Sequence, residues 1–244
     1  MDSGKRWVTM ADVAREADVS KITVSRVIRT PEKVRAETYE RVQAAIRKLG
    51  YIPDEAAGRL ATGSSHVVAA LISTLEGSVF GSTIDGLSSY LRRDGNELLL
   101  GTTEYSSDIE GMLVNAFLGH HPSGIVLTSS HHKPETVERL RTSGVPVVEL
   151  WELPEDPIDL AVGFSNVEAG REMTRFLYDL GYRNIVFIGM GPKSNLRGRL
   201  RYQGYSEMRR ELGLGEPPPV PFNRDITSVP ERGAYSMQWI LQNL

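Results

Sequence analysis

Apolar residues recur through the first fifty positions with the period of a helix. Met10, Val13, Ala14 and Ala17 fall at i, i+3, i+4 and i+7, one stripe of a short helix. Thr9, with Asp12 three residues on, has the spacing of a capping box at its start. Asp18-Val19 interrupts the stripe. Ser20 then caps a second segment in which Val24, Val27 and Ile28 again lie at i, i+3 and i+4. Two short helices joined by about three residues are a helix-turn-helix. A third helix is expected over 36–49, with Tyr39, Val42, Ala45, Ile46 and Leu49 inward and Gly50 ending it. Beyond Pro53, Ala56, Ala57 and Ala61 can propagate one further helix over about 53–61. At that length it is marginal alone in water and would fold only when docked.

From residue 62 the pattern changes. Thr62-Gly63-Ser64-Ser65 reads as a flexible joint. Strand-like runs at 67–73, 97–102, 124–128 and 145–150 then alternate with helical periods at 82–93, 108–118 and 134–142. A second run begins near Asp159, with strands at 161–164 and 184–189 and helices at 168–180 and 199–212. A proline-rich stretch leads from there to a last helix at 230–244. Such alternation means a parallel sheet covered on both faces. Ligands in these sheets bind beyond the carboxyl ends of the strands. Here that places them at 73–80, 102–105, 128–130 and 150–151.

Composition narrows the class. At 40% hydrophobic and 24% charged over 244 residues, the chain is an ordinary globular one. No apolar run approaches the ~18–20 residues of a membrane helix. The first residues carry charge with no apolar segment behind it, so neither a signal peptide nor a membrane partner is expected. The absence of cysteine excludes disulfides, thiol nucleophiles and cysteine-bound zinc. The cytoplasm is the expected compartment. The net charge of −3 hides an asymmetry: residues 1–60 carry +3 and the remainder −6. A small basic module on an acidic body points to a polyanion-binding head.

The second helix carries the candidate chemistry. Its outer face shows Lys21, Ile22, Ser25, Arg26 and Arg29. Lysine and arginine reach guanine edges or phosphates, and isoleucine can meet a thymine methyl. The hydroxyls of Ser20, Thr23 and Ser25 suit phosphate oxygens, and Thr9 joins this DNA-facing set. A leucine such as Leu60, in the short helix near 53–61, could wedge a minor-groove base step.

Here a resemblance becomes specific. Val8-Thr9-Met10-Ala11-Asp12-Val13-Ala14, then Val19-Ser20-Lys21-Ile22-Thr23-Val24-Ser25-Arg26-Val27-Ile28, then Leu49-Gly50-Tyr51-Ile52-Pro53, resemble the lac repressor (LacI) family. The resemblance implies an all-α helix-turn-helix head plus an α/β periplasmic-binding-protein-like effector domain. Its parallel sheets would form two lobes, the second incomplete. The corresponding domains are 1–61, including a hinge helix at about 53–61, then 62–162 and 163–244. On the family pattern Lys21, Ile22 and Arg26 read bases; Ser20, Thr23 and Ser25 hold phosphates; Leu60 is the hinge wedge. Two departures stand out. Asp18 replaces the usual turn glycine, and Gly58 inside the hinge helix costs ~1 kcal/mol relative to alanine.

The body is most similar to the gluconate-operon subgroup of that family. Gly144-Val145-Pro146-Val147-Val148-Glu149-Leu150 and Ile158-Asp159-Leu160-Ala161-Val162-Gly163-Phe164-Ser165-Asn166 carry the likeness, with the loop His131-His132-Lys133-Pro134-Glu135-Thr136. It implies a homodimer on a palindromic double-stranded operator, controlled by a small sugar or sugar-acid effector. Ser78 and Phe80 would wall the pocket, Arg199 would grip a ligand oxygen, and Trp151 and Phe164 would stack or simply pack. Arg197 and Arg201 compete with Arg199 for that role.

Other signals weigh little. The Gly189-Met190-Gly191-Pro192 stretch lacks the third glycine of a dinucleotide fingerprint. His120-His121 and His131-His132 lack metal-ligand spacing and read as exposed loop residues. Catalysis, metal and cofactor are not expected. The leading reading is an effector-controlled repressor rather than an enzyme. A second is a fragment that binds DNA without sensing an effector, since about a hundred residues of the two-lobed pattern have no counterpart here. A third is a sugar-binding protein without a regulatory role.

Overall fold

The computed structural model describes residues 7–52, 65–75, 79–189, 196–221, 226 and 229–243. The chain divides into two compact units, Met1–Ser64 and Ser65–Leu244. The expected hinge at 53–61, with Gly58 and Leu60, and the expected pocket residue Ser78 lie outside the described residues.

The first unit is three helices: α1 (Met10–Glu16), α2 (Lys21–Arg29) and α3 (Ala36–Leu49). Thr9 and Asp12 close a reciprocal capping box on α1, and the Ser20 hydroxyl accepts the Thr23 N–H to cap α2. The apolar stripes meet in one cluster built on Val13, Ala14, Ala17, Val24, Val27, Val42, Ala45 and Tyr51. Burying each of the fully enclosed Val13, Val24 and Val42 stabilises the unit by about 1.5–3 kcal/mol. Gly50 ends α3 in the left-handed conformation, φ 62°.

Asp18 turns the chain between α1 and α2 at φ 51°. That conformation disfavours most side chains, though aspartate tolerates it better than most. A clamp from α3 secures the turn: Arg41 Nη2 donates to the Ala17 carbonyl at 3.1 Å and to the Asp18 carbonyl at 3.3 Å.

The second unit is built on a five-stranded parallel sheet in the order β2-β1-β3-β4-β5. Its strands are β1 (Val67–Ile72), β2 (Glu97–Thr102), β3 (Gly124–Leu127), β4 (Val147–Leu150) and β5 (Leu160–Val162). The interleaved helices are α4 (Val79–Arg93), α5 (Ser107–Leu118) and α6 (Pro134–Ser143). Ala69, Leu71, Ile125, Leu127 and Val147 point from one sheet face onto Val114, Phe117 and Leu140. Ala70 and Ile72, the alternate residues of β1, are buried as well, as expected of a central strand covered on both faces.

The strand order reverses between β1 and β3. Chain connections leave the sheet in opposite directions there, which opens a crevice at the carboxyl ends. Ser73 and Thr128 sit at that point, the Ser73 N–H donating to Thr128 Oγ1 at 2.9 Å.

Two expectations change. The strand expected at 161–164 forms at Leu160–Val162 and pairs with β4, so it extends the first sheet rather than opening another. The run at 184–189 is not a strand: among the described residues nothing pairs with its backbone. Side chains meet one of its carbonyls instead: Tyr205 Oη and Arg209 Nη1 both donate to that of Ile185, at 2.9 and 2.6 Å.

After the sheet come α7 (Asn166–Asp179), α8 (Leu196–Glu211) and α9 (Val229–Asn243). Helices α7 and α8 cross with backbones in contact. A methyl group on Gly204 would overlap the Val167 carbonyl, and one on Gly170 the Arg201 carbonyl. Across the same contact Arg171 reaches Glu207 at 3.3 Å and Glu211 at 2.8 Å.

Candidate functional site

In the first unit the candidate surface is the outer face of α2. At about 100° per residue, Lys21, Ser25, Arg29, Ile22 and Arg26 fall within an arc of roughly 140°. The core residues Val24, Val27 and Ile28 occupy the other side. Lys21, Ile22, Arg26 and Arg29 are exposed, Ile22 at 66%. The face thus presents one apolar side chain among three cations. Ser20 Oγ and Thr23 Oγ1 lie 2.9 Å apart at the helix start. The Ser20 hydroxyl, like that of Thr9, already serves a cap, and the Thr23 hydroxyl is its neighbour there.

In the second unit a cavity of about 190 Å³ opens at the carboxyl ends of the strands. Ser73 follows β1, Thr103 and Tyr105 follow β2, and Thr128, Ser129, Ser130 and His131 follow β3. Glu152 follows β4, Ser106, Ser107 and Glu110 enter from α5, and Arg197 and Arg199 enter from α8. The walls are therefore hydroxyls, with acidic and cationic groups at defined places.

Arg197 is the more enclosed of the two arginines. Its Nη2 donates to Ser73 Oγ at 3.4 Å, and its guanidinium lies 5.3 Å from the Phe80 ring centre. Burial pulls this guanidinium below its ordinary value; Tyr105 and Glu152 oppose the change and Arg201 adds to it. An arginine stays charged regardless. Arg199 lines the same cavity but is exposed. Glu152 is buried, with one carboxylate oxygen 2.5 Å from Asn166 Nδ2.

Phe80, Trp151 and Phe164 form a row of edge-on rings with centroids 6.1 and 6.4 Å apart. Trp151 holds φ 73°, an outlier for so bulky a residue. Its N–H donates to the Val162 carbonyl at 3.0 Å and its carbonyl accepts from Asn166 Nδ2 at 3.1 Å. Contacts from β5 and α7 thus fix the strained residue from both sides.

Residues 9–54 match the family described as bacterial regulatory proteins, lacI family. Residues 65–225 match the periplasmic binding proteins and sugar binding domain of LacI family. The chain belongs to the LacI family. This LacI-family chain is 32% identical over 210 residues to the HTH-type transcriptional regulator GntR of Escherichia coli K12, covering 86% of itself and 63% of that protein. Its fold is similar to that of a crystallised LacI-family transcriptional regulator from Silicibacter pomeroyi, with TM-score 0.77 and 34% identity, covering 84% of this chain and 62% of that one. It is also similar to the lac repressor dimer bound to operator and the anti-inducer ONPF, with TM-score 0.67 and 26% identity, over 86% of this chain and 64% of that one. The chain thus spans less than two thirds of the length of these relatives, all of which are regulators.

The pocket of this LacI-family chain draws on residues that the sequence pattern does not single out. Ser73 and Thr128 fall in the strand-end segments expected to hold a ligand, whereas Glu110 and Glu152 lie outside them and Arg197 figures there only as a competitor of Arg199. His132 is not the exposed loop residue its sequence context suggests: its side chain is 3% exposed and held between two carboxylates. The one available signal was a glutamate, Glu149, in the middle of an otherwise apolar strand, since a buried carboxylate requires a partner. Among the described residues no group of three or more histidine, aspartate or glutamate side chains could hold a metal ion, and no helix is long and apolar enough to cross a membrane.

Proposed function

We propose that this protein is a cytoplasmic, sequence-specific DNA-binding regulator whose operator affinity is set by a sugar acid. The exposed face of α2 carries the DNA reading: three cations and Ile22 project from the second helix of a helix-turn-helix. Arg26 and Lys21 address base edges, Ile22 a thymine methyl, and Ser20, Thr23, Ser25, Arg29 and Thr9 the flanking backbone. A homodimer would place two such helices on the halves of a palindrome.

The cavity chemistry supports the effector. Its lining of hydroxyls with cations at one side suits a small polar ligand. Arg197, seated on Phe80 and Ser73, presents a planar cation for a carboxylate. Arg199 offers a second cation nearer the rim. Hydroxyls and two glutamates around the remainder match a polyol chain. An acid such as D-gluconate satisfies both ends. Binding in the cavity and binding to DNA would be linked by a coupling free energy between the two sites.

Titration of D-gluconate into the protein tests the effector, and Arg197→Leu tests the assignment. Saturable binding weakened at least ten-fold by the variant is expected. A protein that binds operator DNA but shows no saturable binding of any sugar acid is a DNA binder without a sensor, and that result would sink this half of the reading.

A further inference from the structure

One side chain ties together three elements around the floor of the pocket. His132, in the loop between β3 and α6, has Nδ1 at 2.6 Å from Glu110 Oε1 on α5. Its Nε2 lies 3.2 Å from Glu149 Oε1 on β4. The side chains of His132, Glu110 and Glu149 are 3, 3 and 2% exposed. Each ring nitrogen faces a carboxyl oxygen, so a doubly protonated imidazolium, donating from both nitrogens, satisfies the pair. The other oxygen of Glu149 accepts the Ile158 N–H at 2.7 Å, holding the segment that leads to β5.

Each member of the triad is next to a pocket wall. Glu110 lines the cavity itself. His132 directly follows Ser129, Ser130 and His131, which line it too. Glu149 stands three residues before Glu152 on the same strand end. Removing the imidazolium would leave two buried carboxyl groups without the partner that now joins them, and a buried carboxylate that loses its partner is strongly destabilised.

We propose that the Glu110–His132–Glu149 triad is a positioning device for the effector pocket. The imidazolium fixes Glu110 as a buried acceptor on the pocket floor and pins the loop 129–132 to α5 and β4. The triad turns a ligand carboxylate away from Glu110 and toward Arg197, and presents Glu110 to a hydroxyl. His132 touches no ligand; it acts through Glu110. The ligand half rests on the effector reading above, whereas the positioning half is a property of the free protein.

Hydrogen exchange on the full chain measures the positioning without a ligand. His132→Gln should speed exchange of the 129–132 and 152–158 amides at least ten-fold and leave those of α7, α8 and the first unit unchanged. Carbon–nitrogen NMR of the histidine rings should find His132 still protonated beyond pH 8. Calorimetric titration with D-gluconate and with the neutral polyol D-glucitol follows. The wild type should prefer gluconate, and His132→Gln should weaken gluconate at least ten-fold. Should that variant not fold, Glu149→Gln, which keeps an acceptor for Nε2, should show the same pattern at about three-fold. Unchanged loop exchange in the variants, or a His132 titrating near its ordinary value, overturns the proposal. Loop exchange that rises as expected in a protein that binds neither compound upholds the positioning role and overturns only the effector reading.

Discussion

Raising the pH should weaken the second unit through a single imidazole. Burial alone would lower the His132 value, but hydrogen bonds and charge from Glu110 and Glu149 outweigh it and raise it from 6.5 to about 9. The folded state therefore holds this proton more tightly than the unfolded chain does. Its stabilisation is present in full below pH 6.5 and is lost as pH rises through about 9. At about 1.4 kcal/mol per pKa unit, the displacement corresponds to roughly 3 kcal/mol. In a domain of 150–250 residues each kcal/mol moves Tm by about 2–4 °C, so the effect is roughly 6–12 °C. Scanning calorimetry of the wild type and His132→Gln between pH 6.5 and 9.5 isolates it, because the remaining titratable groups are shared. Glutamine cannot titrate, so the Tm gap between the two proteins should shrink by that amount across the window. A gap that stays constant would refute the buried imidazolium.

Other outcomes follow from the same contacts. Arg26→Ala should relax base preference at one operator position by about 1–3 kcal/mol, read from binding to single-base operator variants. Arg29→Ala, which removes a cation addressed to the DNA backbone, should weaken all sequences alike and reduce the salt slope by about one. Arg41→Ala removes the clamp on the Asp18 turn and should destabilise the first unit by about 1 kcal/mol, seen as faster exchange at 17–20. Gly204→Ala drives a methyl into the Val167 carbonyl and should cost about 1–3 kcal/mol, measured by denaturant unfolding; an unchanged midpoint would contradict the close α7–α8 crossing.

How much of this was legible beforehand depends on how local each feature is. Helices α1 to α3 are written in stripes three and four residues apart and in caps such as Thr9 with Asp12, so they read directly. Strands β1 to β4 read directly as well, as short apolar runs between helical periods. Leu160–Val162 could be recognised as a strand, but its place depends on β4, which no local pattern names. The 184–189 run has the composition of a strand, yet its Ile185 carbonyl is met by Tyr205 and Arg209, some twenty residues away. The same non-locality hid the triad: Glu110, His132 and Glu149 are separated by 22 and 17 positions. His131-His132-Lys133 looks like any polar loop until the sheet carries one of its rings inward. Arg197, Arg199 and Arg201 lie on one helix start, and only the fold distinguishes the enclosed arginine from the one at the rim.

The central claim is that α2 reads DNA sequence. Selection of bound duplexes from a randomised pool, followed by anisotropy of the selected site at several salt concentrations, tests it most directly. The account predicts an enriched palindrome, affinity that falls steeply with salt, and loss of the preference in Arg26→Ala. An unenriched pool, with binding indifferent to both salt and sequence, would contradict it.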